Sequence, residues 1–308
     1  MVENTTWRNK FWNVFINELT KIFKSKRFFI ITFSFILIAL FSLYYLSFSA
    51  NNTFGRPKLL LLQVFTTQLY FIPSFTILLA VILPLCSIAF GFDTFSSDFM
   101  NKKNKDLYYN NSQKEILLFS KALAIMITFS ILLFILFFFL VTSSSIIYKI
   151  DIRAMELMRI LAFYLLSILY STLWYIISMF LSLKTAKSKQ SLFFSILVYF
   201  IIVVLWAPLI LLISFGITNS RLIAENMYSL FSNISPFILY KNAAQGILLQ
   251  PMPAFAPKLF NPLFAAFLIP GGLEYQSFSL IWLNILEFMA MIIFILSLGY
   301  IKIQKNLN

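Results

Sequence analysis

Asp93, Asp98, Lys114 and Lys121 set charges of both signs along one polar stretch, residues 93–121, between two apolar runs. Lys102, Lys103 and Lys105 add to the positive side, Asp106 and Glu115 to the negative. Mixed charge of this kind suits docking of a protein partner, because complementary signs fix register, whereas an anchor for anionic lipid is basic throughout. The plainer reading is a solvated connector. A further acid, Glu287, lies eight residues inside an apolar run, about 12 Å along a helix. An acid at that depth is either a cation or proton site or a neutral group hydrogen-bonded within a bundle, with Asn284 one turn away. Other chemistry is excluded. The 308 residues hold no histidine and a single cysteine, Cys86, so imidazole-based metal sites, thiolate clusters and internal disulfides are not expected. No Gly-x-x-x-x-Gly-Lys-Ser/Thr sequence occurs, which leaves any ATP and Mg to a partner chain. No catalytic, cofactor-binding or metal-ligating residue is read from the chain.

The elements that must position these residues belong to a membrane. With 60% hydrophobic and 11% charged residues and a mean hydropathy of +0.88, the chain is far from the roughly 25% charge of soluble domains. The expectation is an all-α polytopic protein with six transmembrane helices, near 28–49, 69–92, 117–143, 158–183, 191–215 and 279–301, within a domain spanning 28–303. Ahead of them, 1–27 carries Trp7, Phe11, Trp12, Phe15, Leu19, Ile22 and Phe23 at helical spacing, an amphipathic interfacial helix over 7–23 that Thr5 or Thr6 would cap. Pro73 and Pro84 fall in the second span and Pro208 in the fifth, so these spans are expected to kink. The 38 phenylalanines read as a lipid-facing excess.

Segment 216–278 holds six of the ten prolines yet is rich in Phe, Leu, Ile and Ala. Its 236–250 portion reads as a short helix starting at Pro236 with Ser235 as N-cap. The apolar piece 259–269 is too short to span. Both are expected as re-entrant or interfacial helices at the outer mouth. Sixteen of the 24 Lys and Arg residues lie in 1–27, 93–121, 184–190 and 302–308, which makes both termini cytoplasmic. The sequon Asn51-Asn52-Thr53 then faces outward. The same rule accounts for the net charge of +13, so nucleic acid is not an expected partner.

The order of these features resembles the ABC-2 type permease family, the membrane half of exporters driven by a separate ATP-binding protein, over essentially the whole chain. In the loop after the second span, Asp93 and Asp98 match the family's two acids, Lys114 stands for its Arg, and Lys121 falls close to its Lys. Asn104, Lys105 and Asn111 occupy the region of the family's Gly-Thr and Pro. Ser235, Pro236 and Tyr240, followed by Ala244, match its outer Ser-Pro-x-x-x-Tyr segment. The resemblance implies a dimer of permease chains in the cell membrane of a prokaryote, paired around the second and fifth spans, with ATP-binding subunits docked beneath loop 93–116. The competing readings are a secondary transporter working without an ATPase, for which Glu287 would be the coupling charge, and a membrane scaffold.

Overall fold

The computed structural model describes residues 7–52, 61–67, 73–96, 111–150, 152–185, 187–217, 221–232, 234–248 and 278–305. The described residues are helical, without a strand among them. In chain order they form α1 (Trp7–Phe23), α2 (Lys26–Asn52), α3 (Gln63–Thr66), α4 (Phe75–Gly91), α5 (Asn111–Tyr148), α6 (Ala154–Lys184), α7 (Ser188–Tyr199), a π-helical turn (Phe200–Leu205), α8 (Trp206–Ile217), α9 (Arg221–Ser232), α10 (Pro236–Leu248) and α11 (Phe278–Lys305).

Among the described residues, four stretches are long and apolar enough to cross a membrane: Lys26–Tyr44, Ile116–Tyr148, Ala154–Lys184 and Ser188–Ile217. Two shorter apolar helices, Phe75–Gly91 and Ile285–Leu298, stand at the second and sixth expected spans. In α6, 67% of the most apolar window is buried, against 11% in Ser188–Ile217, so α6 is the axis of the bundle and the latter its rim. Around α6 pack α4, α5, α7, α10 and α11. Ser167, Ser171, Ser178 and Ser182 lie fully buried along it. Such small side chains let neighbouring backbones approach closely where lipid gives no hydrophobic drive to association.

The phenylalanines divide in two. Phe29 and Phe134 are exposed on apolar faces, as expected for lipid contact. Phe65, Phe75, Phe137 and Phe163 instead form a packed cluster with ring centroids 5.3 to 6.1 Å apart, each pair contributing about 0.5–1.5 kcal/mol beyond its buried area.

The prolines act differently from one another. Pro73 lies outside α4, just before Ser74 at the helix start, so it ends the helix and does not kink it. α4 is correspondingly shorter than the 69–92 expected for a second span. Pro84 lies inside α4 and removes the N–H that would bond the Ala80 carbonyl. Tyr170 of α6 supplies the missing donor, its hydroxyl 2.9 Å from Ala80 O. The next carbonyl, Val81 O, accepts from the Tyr199 hydroxyl at 3.2 Å. Pro208 stands in the first turn of α8, directly after the π turn; because the helix runs on from α7 through that turn, its missing N–H leaves a carbonyl of the preceding turn without its helical donor.

α10 lies deep among its neighbours. Nine of its thirteen residues are buried, among α4, α6 and α11. The Tyr240 hydroxyl is 2.8 Å from Ser167 Oγ, midway along α6, and Arg159 donates to Ile247 O at 3.3 Å, near the start of α6. The Ser235 hydroxyl donates across to Ile202 O of the π turn at 3.1 Å. Neighbouring α9 packs on α8, with Trp206 Nε1 donating to Phe231 O at 3.2 Å. The Thr5 and Thr6 cap and the 259–269 piece lie outside the described residues.

Candidate functional site

The chain leaves α4 through a tight turn, Phe92–Ser96, and this turn is gripped from several sides. Arg27 at the start of α2 donates to Asp93 Oδ2 at 2.7 Å and to Ala89 O at 3.1 Å, with its guanidinium 4.7 Å from the Phe92 ring centre. The pair is partly exposed on both partners, so its ionic part is worth on the order of 1 kcal/mol or less. Its geometry matters more than its energy. A guanidinium bonded to both a helix-terminal carbonyl and the following acid holds the direction in which the chain exits.

Lys121 of α5 grips the next residue. Its ammonium donates to Thr94 O at 2.8 Å, sits 4.6 Å from the Phe95 ring centre and lies 3.8 Å from Glu18 of α1. Lys121 is 1% exposed, so it does not belong to the polar docking surface expected for 93–121. A desolvated ammonium needs such partners, and they lie in two other elements. On the far side, Ser182 Oγ of α6 accepts from the backbone N–H groups of Phe95 and Ser96 at 3.1 and 3.0 Å. The Ser96 and Ser188 hydroxyls are 3.0 Å apart. Gly91, the last residue of α4, rests against α6 so closely that an added Cβ would stand 2.8 Å from Ser178 Cβ. The turn is thus bonded to α2, α5, α6 and α7 directly, and to α1 through Lys121.

Of the residues read from sequence, Asp93 and Lys121 meet at this turn. Asp98 lies outside the described residues. Lys114 falls on α5, which begins at Asn111, so the stretch between the two helices is shorter than 93–116; its side chain is not among those described. Ser235, Pro236 and Tyr240 meet elsewhere, at the buried start of α10. Glu287 is partly buried on α11, next to Phe288, whose ring approaches Tyr170 at 6.0 Å; Asn284 is outside the described side chains.

Sequence reasoning did not single out Gly91, Ser182, Ser188, Tyr170 or Glu156 as site residues. The four-residue spacing of serines in α6 was the available signal for close packing. Glu156, in the first turn of α6, is 1% exposed, and neither carboxylate oxygen has a hydrogen-bond partner among the described residues; the positive end of the α6 dipole favours it there.

Lys241 of α10 is 4% exposed, and no acid among the described residues lies within 4.0 Å of it. Burying an unpaired charge is costly. Lys241→Met is therefore expected to raise the thermal midpoint of the purified chain by roughly 3 °C. A lower midpoint in the same unfolding scan would mean that the ammonium is held by a partner.

The family model described as ABC-2 family transporter protein matches residues 12–305. No curated protein matches the chain. A match over nearly the full length, on a chain whose described residues are helical and include four stretches long and apolar enough to cross a membrane, establishes that the protein is a multi-pass membrane component belonging to the ABC-2 family of transporter proteins.

Proposed function

We propose that the chain is the permease subunit of an ATP-driven exporter, dimeric in the cell membrane of a prokaryote, and that a separate ATP-binding protein drives it through the segment after α4. Six helices span the bilayer in this reading: α2, α4, α5, α6, the continuous α7–π–α8 unit and α11. α9 and α10 form a re-entrant hairpin entering from outside, a reading supported by contacts that run from Trp206–Phe231 down to Ile202–Ser235 and back out to Arg159–Ile247. Both termini and the 93–116 segment are cytoplasmic. Lipid and a second permease chain cover the exposed apolar faces, and ATP with Mg is held by the partner.

The observation that carries this reading is the gripped turn at Asp93–Ser96. A load applied just beyond it is delivered to α2, α5, α6 and α7 through hydrogen bonds to the turn, and to α1 through Lys121, rather than through loose apolar contact. An ATPase biases the transport equilibrium only by binding two permease states with different affinity. A rigidly seated exit turn is what converts such binding into helix displacement.

The test is charge reversal in the flanking segment. Asp98→Lys and Lys114→Glu are expected to cut copurification of the cognate ATPase more than tenfold and to abolish permease-stimulated ATP hydrolysis, since like charges at a docked interface cost a few kcal/mol. Insertion and folding should persist. Undiminished copurification and hydrolysis in both variants would rule out the coupling role and leave the solvated connector.

A further inference from the structure

Three irregular places in the helices are tied together by hydroxyl groups. The first is Pro84, whose freed Ala80 carbonyl is bonded by Tyr170 at 2.9 Å. The second is the π turn, which begins immediately after Tyr199; that residue's hydroxyl reaches Val81 O at 3.2 Å. The third is the start of α10, where Ser235 bonds Ile202 O in the π turn at 3.1 Å. Tyr170 also stacks on Tyr240 of α10, centroids 4.2 Å apart and rings within 14° of parallel, while Tyr240 is held by Ser167. Tyr170 and Tyr240 are both fully buried.

The two halves of α4 are anchored unequally. Below Pro84 the helix is fixed by the Gly91–Ser178 contact and by the bonds to Phe92–Ser96. Above it, α4 begins at Phe75 behind Pro73 and is held by the apolar packing of Phe75 against Phe65 and Phe137. A helix bends most readily where its own ladder lacks a bond, and in an apolar interior the freed carbonyl demands a substitute donor. We propose that Pro84 is a hinge in α4 and that the Tyr170 and Tyr199 hydroxyls are its latch, with the Tyr170–Tyr240 stack relaying the position of α10 to the hinge. Displacement of α10 then pulls Tyr170 away from Ala80 O, and the outer half of α4 changes its angle while the inner half stays seated.

The test has two arms on the full chain in nanodiscs. In thermal unfolding, Tyr170→Phe is expected to lower the midpoint by about 3 °C, but by less than about 1 °C when combined with Pro84→Ala, because alanine supplies the missing N–H. Equal losses in both backgrounds would overturn the latch. In a Cys86→Ala background, spin labels at Leu78 and Leu161 report the outer half of α4 against α6, and labels at Leu85 and Lys184 the inner half. Tyr170→Phe and Tyr240→Leu are each expected to broaden or shift the outer distance and leave the inner one unchanged. An unaltered outer distance in both variants overturns the hinge, and this arm decides alone if Pro84→Ala does not fold.

Discussion

Gly91→Ala is expected to destabilise the chain although alanine is the better helix former. Propensity favours alanine by about 1 kcal/mol. Against this, the new methyl would meet Ser178 Cβ at 2.8 Å, Tyr175 O at 3.0 Å and Ser178 Oγ at 3.1 Å. The serine hydroxyl can rotate, but the Tyr175 carbonyl belongs to the buried axis helix and cannot move without shifting α6. Overpacking of this kind costs about 1–3 kcal/mol, so the net loss is on the order of 1 kcal/mol for alanine, a midpoint lower by about 2–4 °C. Gly91→Val brings two further carbons into the same gap and should abolish accumulation of folded chain. Ser178→Gly removes two of the three close contacts and should restore most of the Gly91→Ala loss. A neutral Gly91→Ala, with no rescue in the double variant, would show that α4 and α6 separate there without cost.

That contact illustrates what the sequence discloses and what it withholds. Period alone locates α1 at 7–23, because seven apolar residues recur on one face while Arg8, Glu18 and Lys21 fall elsewhere. Hydropathy likewise locates the long apolar helices. Both are local properties. Lys121 defeats the same reasoning: it stands at the edge of an apolar run and is counted with the polar surface, yet its main partner is a carbonyl 27 residues earlier. Ser235 has the sequence setting of an N-cap but spends its hydroxyl on Ile202, 33 residues away. Pro84 announces that the Ala80 carbonyl needs a donor without saying which of 14 tyrosines provides it. In each case the element is legible from spacing, and the partner is decided by how helices distant in sequence come to lie side by side.

Among the side chains that grip the turn after α4, Lys121 is expected to be the most damaging to replace, as Lys121→Met. Methionine nearly matches the volume, so the effect isolates the ammonium. Its loss leaves Thr94 O without its donor in a site that excludes water, at about 2–3 kcal/mol, or a midpoint lower by roughly 8 °C. It also removes the cation over Phe95 and the counter-charge facing Glu18. The three partners do not contribute alike. Glu18 is 3.8 Å away with 18% of its side chain exposed, so water compensates for much of its loss, and Glu18→Gln should cost less than about 1 kcal/mol. Phe95→Leu keeps the apolar wall but removes the ring quadrupole, worth about 0.5–2 kcal/mol at a desolvated site. The carbonyl bond at 2.8 Å is thus the principal anchor, and the expected order of damage is Lys121→Met, then Phe95→Leu, then Glu18→Gln, each measured as a thermal midpoint in the same detergent. If Glu18→Gln proved as harmful as Lys121→Met, the ion pair and not the carbonyl would hold the turn, and α1 rather than α4 would be the element that Lys121 serves. With a cognate ATPase present, Lys121→Met should also lose stimulated hydrolysis at temperatures where the chain is still folded, because a turn released from α5 yields to the docking subunit instead of moving the helices behind it.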